Sequence, residues 1–510
     1  MSTICAEAHG SMNSAANSAW TLGDLCAGIV EPSRIAGHEL LAISGVFDDS
    51  REVRPGGVFV AVRGGAVDAK KFVLDATARG AAVIIATEPP QVAGALTIPV
   101  ENERRVLARL AMRWHGLDRP GATMRMVGVT GTNGKSTTAM MARAIFQAAG
   151  VKCGLLGTIR YDLCARSVTA DMTTPGPVKL AEYLRECREA GAKFAVMEVS
   201  SHALDQRRTD GLRFSAAAFT NLTGDHLDYH KTQDNYREAK RRLFTELPAE
   251  AVAVLNGDDP ASMEMARDCP ARIARYSLDD DGEIRARLIR DTVKGTLYRM
   301  RLGGEDLVLE NALVGRHNVY NAMAAAGLAH AVGVSLSAIQ QGLNSVRNVP
   351  GRLQRVPCAI AADVFVDYAH TDDALRNVLS VLRPLAKRRL ITVFGCGGDR
   401  DRTKRPRMAK VAAEYSDLIF VTSDNPRTEE PLEIIREILT GFEIESRDQV
   451  ICEPDRRAAI SLALGAAGEG DIVLIAGKGH EDYQVIGTQK IHFDDVEVAI
   501  EAAAEAAGKE

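Results

Sequence analysis

The sequence GVTGTNGKSTT, residues 128–138, follows an apolar run and precedes a run with helical periodicity. Gly131 and Gly134 allow the backbone to bend and approach phosphate oxygens, and the N–H groups at a helix start attract an anion. Lys135 supplies a positive charge, and Ser136 supplies a hydroxyl that can bind magnesium. The strict P-loop has a glycine five residues before Gly134, where this chain has valine. Because strand, GKS and helix agree, the stretch predicts a nucleotide-binding loop rather than a glycine turn that only caps a helix.

Strand and helix signals alternate along the chain after this loop. Together with the strand that leads into the loop, the predicted strands of this part lie at 124–129, 193–200, 215–222 and 251–256. Helical patterns lie between most of them, and this alternation predicts a mostly parallel, doubly wound sheet. A hairpin over 296–311 and a helix over 318–333 close this part, and Pro and Gly interrupt the periodicity at 347–354.

The flanking regions repeat the α/β pattern. Before the loop, strands at 56–62 and 81–87 flank a helix at 68–80. After the break, strands are predicted at 364–369, 389–395, 417–424 and 471–477. Polar loops follow these strands, and ligands bind at such loops in open α/β sheets. We therefore expect three α/β domains: a small N-terminal one at 1–102, a central P-loop domain at 103–349 and a Rossmann-like C-terminal domain at 350–510.

Composition excludes several classes of protein. The net charge of -5 with no basic stripe argues against nucleic acid as a partner. The nine scattered cysteines lack a CxxC pair, which favours reduced thiols in a cytoplasm. The first 20 residues have no basic leader or apolar core and predict a loose tail rather than a signal peptide. The sequence has no apolar run long enough to predict a membrane span. We expect a monomer.

The segment GTNGKST resembles the ATP loop of the Mur ligase family, which builds the peptide of the peptidoglycan precursor. The resemblance extends from about Phe47 to the C-terminus and implies an ATP-dependent acid–amino-acid ligase that uses magnesium. It also implies that the N-terminal domain binds a UDP-sugar, the central domain ATP and the C-terminal domain an amino acid. The residues implied in ATP binding are Gly131, Thr132, Asn133, Gly134, Lys135, Ser136, Thr137, Asn318 and Arg352.

Three segments predict the metal site and the catalytic groups. MEVSS places Glu198 at the end of an apolar strand, where P-loop folds hold magnesium. TGDHLDYH resembles the family's metal segment, with His226 as a ligand. Lys240 lies on a charged helix that composition alone would assign to a solvated surface, but the resemblance implies a carbamylated, anionic lysine there. The implied magnesium ligands are Ser136, Glu198, His226 and carbamylated Lys240, and the implied catalytic residues are Lys135, His226 and Lys240.

The resemblance also implies a site for a UDP-sugar–peptide. Its residues are Asp48, Ser50, Gly65, Ala66, Val67, Thr173, Thr174, Ser200, Gln206 and Arg208. This chain departs from the family at Ala69, where glycine is common, and at Met172, where many members that add the third amino acid have asparagine. We therefore leave Met172 out of the site.

The segments around the break at 347–354 are similar to the family's hinge side. We expect Arg352 to approach the nucleotide phosphates and Asp367, Tyr368 and His370 to line the closed site. The family usually has proline where this chain has Asp372. Asn318, at a helix start, is also a candidate N-cap.

The segment DNPR, residues 424–427, bears on the amino acid that is added. Asp-Asn-Pro is turn chemistry, but a turn does not explain Arg427. An arginine can hold a carboxylate with two hydrogen bonds, and Glu481 can accept from an amine. The resemblance therefore implies that the third amino acid of the muramoyl peptide, meso-diaminopimelate, is added to a UDP-N-acetylmuramoyl dipeptide. The implied residues are Arg400, Asp424, Asn425, Pro426, Arg427, Gly477 and Glu481.

Three alternatives stay open. One is a ligase that adds L-lysine, whose sequences usually lack DNPR. Another is a folylpolyglutamate synthetase, against which the segment DDSREVRPGGVFVAV counts, because that enzyme lacks the uridine domain. The third is a P-loop protein that hydrolyses ATP as a switch. No sequence feature identifies a base for the incoming amine.

Overall fold

A computed structural model of the chain describes residues 20–63, 69–118, 124–224, 227–279 and 282–507. The chain packs as two units. The first comprises Met1–Ala122, Pro175–Glu186 and Asp205–Leu212, and the second Thr123–Thr174, Cys187–Leu204 and Arg213–Glu510. None of the described cysteines forms a disulfide bond. No helix in the described part of the chain is long and apolar enough to span a membrane.

The first unit contains a four-stranded parallel sheet in the order β1-β2-β3-β4. Its elements are α1 (Leu22–Cys26), β1 (Val46–Phe47), β2 (Gly57–Val60), α2 (Ala69–Ala78), β3 (Ala81–Ala86), β4 (Leu96–Pro99) and α3 (Glu103–Trp114), with 3₁₀ helices at Pro32–Arg34 and Ser50–Glu52. The strands predicted at 56–62 and 81–87 and the helix at 68–80 are confirmed as β2, β3 and α2.

The second unit contains an eleven-stranded sheet. Its elements are β5 (Arg125–Thr130), α4 (Lys135–Ala148), β6 (Cys153–Leu156), β7 (Arg160–Asp162), β8 (Ser167–Thr169), α5 (Pro177–Glu189), β9 (Phe194–Glu198), α6 (Ser201–Asp205), β10 (Phe214–Phe219), α7 (Leu227–His230), α8 (Gln233–Thr245), β11 (Val252–Asn256), α9 (Ser262–Ala266), β12 (Arg272–Ser277), β13 (Ile284–Thr292), β14 (Gly295–Leu302), β15 (Glu305–Asn311), α10 (Arg316–Ala331) and α11 (Leu336–Ser345). The predicted nucleotide-binding loop, here called the phosphate loop (residues 131–134), follows the strand β5 of this sheet. The helices α5 and α6 each run from one unit into the other.

The strand β5 pairs in parallel with β10 on one side and β9 on the other. Both neighbours come later in the chain, so the strand order reverses at β5 and the loop that follows it opens at the crevice where such sheets bind ligands. The predicted mostly parallel, doubly wound sheet is confirmed. The buried apolar residues of β5 reflect its central place, because helices cover both faces of such a sheet.

Helix α4 is held tightly to the fold. Met141, Ile145 and Phe146 are fully buried. A methyl group on Gly342 of α11 would lie 2.4 Å from the Cα of Ile145, so the two helices approach backbone to backbone. The phosphate loop is therefore attached to a rigid strand at one end and a rigid helix at the other.

The predicted hairpin over 296–311 is confirmed as the antiparallel pair β14 and β15. A third antiparallel strand, β13, extends it and was not predicted from the sequence. Its charged residues alternate with buried ones, since one face is exposed to solvent.

A second sheet, of six strands, lies in the C-terminal part of the chain in the order β16-β17-β21-β18-β19-β20. Its pairs are parallel except for β16 with β17. The elements are β16 (Gln354–Val356), β17 (Asp363–Asp367), α12 (Asp372–Leu382), β18 (Leu390–Phe394), α13 (Lys404–Tyr415), β19 (Leu418–Val421), α14 (Pro431–Leu439), β20 (Val450–Cys452), α15 (Arg456–Ala466), β21 (Ile472–Ala476), β22 (Tyr483–Ile486), β23 (Gln489–His492) and α16 (Asp495–Ala507), with 3₁₀ helices at Arg383–Leu385 and Ile444–Gln449. The strands β22 and β23 form a separate antiparallel hairpin.

Two neighbouring arginines tie α15 to α16, and they offer a matched test of stability. Arg456 donates to the carboxylate of Asp495 at 2.8 and 2.7 Å, with both side chains 0% exposed. Replacing Asp495 with alanine leaves a buried guanidinium without its counterion, so we expect the free energy of unfolding to fall by about 3–5 kcal/mol.

The control is Glu501→Ala, which breaks the adjacent pair with Arg457, where the side chains are 56% and 54% exposed. We expect it to cost less than about 1 kcal/mol. Urea denaturation of the two variants measures both values, and equal small losses would contradict the expectation.

Candidate active site

The phosphate loop has the backbone geometry that its glycines predict. Gly131 and Gly134 adopt φ values of 146° and 85°. A methyl group on Gly131 would lie 1.9 Å from Oγ1 of Thr220, and one on Gly134 would lie 2.3 Å from Oδ1 of Asn321. The Asn221 side chain accepts a hydrogen bond from the Asn133 N–H at 2.9 Å. Both glycines are therefore required by conformation and by space.

A cluster of oxygen atoms surrounds Glu198, which lies at the end of β9 and is 2% exposed. Ser136, in the first turn of α4, donates to Oε2 of Glu198 at 2.9 Å. Thr158 donates to the same carboxylate from its hydroxyl at 3.0 Å and from its N–H at 2.9 Å. The hydroxyls of Thr158 and Thr173 are 3.0 Å apart.

The cluster continues to residues that were predicted to bind the UDP-sugar–peptide. Thr174 donates to the backbone oxygen of Glu198 at 2.8 Å and accepts from the Ser200 N–H at 3.1 Å. The structure therefore brings together five residues predicted for two different ligands: Ser136, Glu198, Thr173, Thr174 and Ser200. Sequence reasoning missed Thr158, although it follows a glycine at the end of β6, the strand next to β9.

These donors fit magnesium. The ion prefers hard oxygen ligands and keeps several of its waters, so one carboxylate and one hydroxyl form a sufficient protein contribution. Within the residues that the structure describes, no three His, Cys, Asp or Glu side chains form a metal-binding cluster. His226, the expected second ligand, lies outside the described residues.

Lys240 reaches the same loop from α8. Its side chain is 1% exposed, so the solvated-surface interpretation of this position is wrong. Its Nζ donates to the Gly131 oxygen at 2.8 Å and lies 4.4 Å from the centre of the Tyr236 ring. Lys135 Nζ donates to that same oxygen at 3.0 Å and to the Thr132 oxygen at 2.7 Å. Two ammonium groups thus converge on one carbonyl oxygen at the phosphate loop.

Helix α10 carries two buried asparagines beside the loop. Asn321 donates to Asn318 at 3.0 Å and accepts from Thr138 at 3.3 Å. The N-cap interpretation of Asn318 is wrong, because the helix is capped by Gly315, and the Asn318 side chain donates to the Val314 oxygen at 2.8 Å instead.

The predicted hinge residues pack against one another. The guanidinium of Arg352 lies 4.9 Å from the centre of the Tyr368 ring. Burial raises the pKa of Asp367, whose carboxylate accepts from the N–H groups of Leu353 and Ala369 at 2.6 and 2.8 Å. Burial lowers the pKa of His370, and the Lys404 ammonium adds to this effect.

Glycines make this packing possible. A methyl group on Gly351 would lie 2.2 Å from the backbone nitrogen of His480, and one on Gly479 would lie 2.6 Å from Cβ of Tyr368. Burial lowers the pKa of His480 to about 4, so its imidazole is neutral at pH 7. At the family's departure from proline, Asp372 begins α12 behind the N-cap Thr371, where an acidic residue favours the helix.

Three polar loops meet at one edge of the C-terminal sheet, as predicted. They follow β18, β19 and β21. Gly398 of the first loop donates to the Asn425 oxygen of the second at 2.9 Å. The Asn425 side chain donates to Glu481 of the third at 3.0 Å. Gly477, with φ 121°, lies where a methyl group would be 3.8 Å from the Asp424 carboxyl carbon.

The charged groups in this cluster are buried, and the pKa values of its two carboxylates shift in opposite directions. Burial would raise the pKa of Asp424, but the cations of Lys478 and Arg456 hold it below its usual value. Burial raises the pKa of Glu481, and the negative charge of Asp424 raises it further. Lys478 is 0% exposed and donates to the Tyr483 oxygen at 2.7 Å. The sequence interpretation missed Lys478, although the glycines on both sides of it mark a tight turn.

Arg427 presents an open edge of its guanidinium. Its Nη1 donates to the Gly398 oxygen at 2.8 Å. No group of the described residues accepts a hydrogen bond from its Nε or Nη2, so this edge can bind a carboxylate with two hydrogen bonds. Arg400 is exposed on the neighbouring loop, and Gly397 lies close to both arginine side chains.

The residues predicted for the UDP-sugar–peptide are divided between the two units. In the first unit, Ser50 is 3% exposed and Asp48 lies near Gly176. Also in that unit, Arg208 donates to the Gln206 side chain at 3.1 and 2.7 Å. Gly65, Ala66 and Val67 lie outside the described residues.

The chain is similar to known proteins over most of its length. Residues 129–329 match the Mur ligase middle domain, and residues 351–479 match the Mur ligase glutamate ligase domain. A relative from Geobacter metallireducens named UDP-N-acetylmuramoyl-L-alanyl-D-glutamate--2,6-diaminopimelate ligase is 43% identical over 505 residues, covering 94% of this chain and 98% of that protein.

Solved structures show the same fold. A structure of a UDP-N-acetylmuramoyl-L-alanyl-D-glutamate--2,6-diaminopimelate ligase is 33% identical with a TM-score of 0.69, over 92% of this chain and 97% of that one. MurF ligase from Thermotoga maritima in complex with ADP is 19% identical with a TM-score of 0.62, over 91% of this chain and 98% of that one. The extent of these matches, together with the glycine loop and the buried Glu198 beside it, establishes that this chain belongs to the Mur ligase family of ATP-dependent amide-forming ligases.

Proposed function

We propose that this chain adds meso-diaminopimelate to UDP-N-acetylmuramoyl-L-alanyl-D-glutamate. ATP phosphorylates the side-chain carboxylate of the D-glutamate and leaves as ADP. The amine of diaminopimelate then attacks the acyl phosphate, and phosphate departs as the amide bond forms. The observation that carries this choice of amino acid is the open Nε–Nη2 edge of Arg427 beside Glu481 and Asn425. The relative of that name, 43% identical over nearly the whole chain, supports it.

Each part of the site has a role under this proposal. The loop amides and Lys135 bind the ATP phosphates. Ser136 and Glu198, with His226 and carbamylated Lys240, would hold magnesium. Bound magnesium would offset the negative charge of the phosphates. The remaining work is placement, because an acyl phosphate and an amine react readily once they are held in line.

The residues that would bind the UDP-sugar–peptide under this proposal are Asp48, Ser50, Thr173, Thr174, Ser200, Gln206 and Arg208. Under this proposal residues 1–102, 103–349 and 350–510 are the domains for UDP-sugar, ATP and amino acid respectively. Asn318 and Arg352 would contact ATP, and Arg400, Asp424, Pro426 and Gly477 would complete the amino-acid site.

Phosphate release tests the ligase reaction against a nucleotide switch. We expect purified protein to release phosphate from ATP only when both the muramoyl dipeptide and an amino acid are present, because the acyl phosphate needs the first and its breakdown to product the second. Equal phosphate release without either substrate would overturn the proposal in favour of a P-loop switch.

A prediction concerns the state of Lys240. Carbamylation requires an uncharged amine, and Lys240 is 1% exposed, with its Nζ at the phosphate loop 2.8 Å from the Gly131 oxygen. We expect Lys240→Ala to lose activity and to recover part of it when a short-chain carboxylate supplies the missing anion. Electron density at Nζ of the wild type would show the modification directly.

Two controls accompany this prediction. Lys135→Ala is not expected to recover with the carboxylate, because an anion cannot replace a cation at the phosphates. Glu238→Ala, which changes an exposed residue of the same helix, is expected to keep its activity. An unmodified ammonium on Lys240 in an active, magnesium-bound crystal would contradict carbamylation.

A further inference from the structure

A fully buried arginine lies behind the loop that holds Arg427. Arg405, on α13, is 0% exposed. Its Nη1 and Nη2 donate to the two carboxylate oxygens of Glu429 at 2.9 Å each. Its Nη1 also donates to Glu437 at 2.8 Å. The hydrogen bonds from Arg405 lower the pKa of Glu429 to about 2, so this carboxylate is ionised at pH 7.

Of the two glutamates, Glu429 bonds to the backbone of the loop that contacts Arg427. Glu437 lies on α14 and binds Arg402 as its other partner. Glu429 accepts from the Asp399 N–H at 2.6 Å, and Arg405 itself donates to the Gly397 oxygen at 3.3 Å. The Arg405–Glu429 pair therefore holds the backbone on both sides of Gly398.

Gly398 supplies the oxygen to which Arg427 donates, at 2.8 Å. The backbone and the arginine side chain are closely packed at this contact. A methyl group on Gly397 would lie 2.9 Å from Nη1 of Arg427, and one on Gly398 would lie 2.0 Å from the Pro426 oxygen. Arg427 and Asp399 both have left-handed backbones, with φ values of 52° and 53°. Such strained conformations persist only where surrounding contacts fix them.

We propose that the Arg405–Glu429 pair positions the side chain of Arg427 and thereby sets the preference for an amino acid with a distal carboxylate. This inference rests on the proposed function, in which Arg427 binds that carboxylate. Arg405 is 0% exposed, and the pair would act through the backbone around Gly398 rather than by contact with the substrate. A two-bond contact tolerates only small displacements, and misplacement by about 1 Å costs on the order of 100-fold in rate.

The test compares two conservative variants of the same ion-pair network. Glu429→Gln replaces one carboxylate oxygen with an NH₂ group facing Arg405, which breaks the two-bond pair. Glu437→Gln makes the same change on the other side of Arg405, away from Arg427. We expect Glu429→Gln to raise the KM for diaminopimelate about 10- to 100-fold, with the KM for ATP unchanged. The ratio of kcat/KM for diaminopimelate to kcat/KM for L-lysine should fall as a result. Glu437→Gln should change neither value.

Thermal unfolding of both variants separates positioning from stability. Arg405→Lys provides a second variant, because lysine keeps the charge but cannot make the two-bond contact, and it should raise the KM for diaminopimelate in the same way. If Glu429→Gln lowers Tm but leaves the KM for diaminopimelate at the value of Glu437→Gln, the pair is only structural and the inference is overturned. A wild-type enzyme that does not use diaminopimelate in the same assay overturns the proposed function and the inference together.

Discussion

Lys135→Ala is expected to lower ATP-dependent ligation by at least about 100- to 1000-fold, the cost of removing one preorganised group that stabilises developing charge. The Nζ of Lys135 lies at the phosphate loop, where it donates to the Gly131 and Thr132 oxygens. The side chain is only half-buried and lies in the first turn of α4, away from the packed face of Met141 and Ile145. The fold should therefore survive the substitution.

The control for this variant is Lys152→Ala. Lys152 is exposed, follows the same helix and donates to the Ala190 oxygen at 3.0 Å. Steady-state turnover with saturating substrates, together with circular dichroism of both variants, measures the effect. Near-normal turnover by Lys135→Ala would contradict the assignment of the loop to ATP.

Arg427→Ala is expected to lower the use of diaminopimelate by about 30-fold to several thousand-fold. The loss of one partner of a desolvated charge pair costs roughly 2–5 kcal/mol, which gives this range. The backbone at this position should stay in place, since the N–H of residue 427 donates to the Val485 oxygen at 3.0 Å and its own oxygen accepts from the Gly487 N–H at 2.7 Å. The wild type should use L-lysine poorly, because lysine leaves the guanidinium unpaired.

The kcat/KM for each amino acid, measured on wild type and variant, checks this prediction. Arg436→Ala is the control, because Arg436 is exposed on α14 and pairs only with Glu433 among the described residues. Equal use of both amino acids by the wild type would refute the specificity and leave the ligase assignment standing.

The sequence predicts the central sheet and the phosphate loop well because local rules determine both. Gly131 and Gly134 are needed for a backbone that other residues rarely adopt, and Glu198 is the last residue of an apolar strand. Thr158 escaped prediction because its contact with Glu198 depends on the order of β6 and β9 in the sheet, which no local pattern specifies.

Burial of charged residues is the main feature that the sequence conceals. Lys240 lies among Lys, Arg and Glu residues, yet it is 1% exposed because α8 turns that side toward Gly131, and the Tyr236 ring of the same helix lies beside it. Arg405 stands in the basic segment TKRPR, and its partners lie 24 and 32 residues later in the chain. In both cases the inward side of the helix is set by tertiary contacts.

The loops at the edge of the C-terminal sheet include one feature that the sequence predicts and one that it does not. Their meeting at one sheet edge follows from the parallel strands, and it is confirmed by the bonds among Gly398, Asn425 and Glu481. The hairpin of β22 and β23 was missed, because its two strands are four residues each and are largely exposed. It nevertheless binds the backbone of Arg427.

The most direct test of diaminopimelate ligation is a panel of single amino acids with purified protein, ATP, magnesium and UDP-N-acetylmuramoyl-L-alanyl-D-glutamate, with the product identified by its mass. We expect a new UDP-linked tripeptide with meso-diaminopimelate, formed together with one ADP and one phosphate per peptide. We expect little product with L-lysine and none when the dipeptide is omitted. A tripeptide formed with L-lysine but not with diaminopimelate, or no UDP-linked product with any amino acid, would contradict the proposed function.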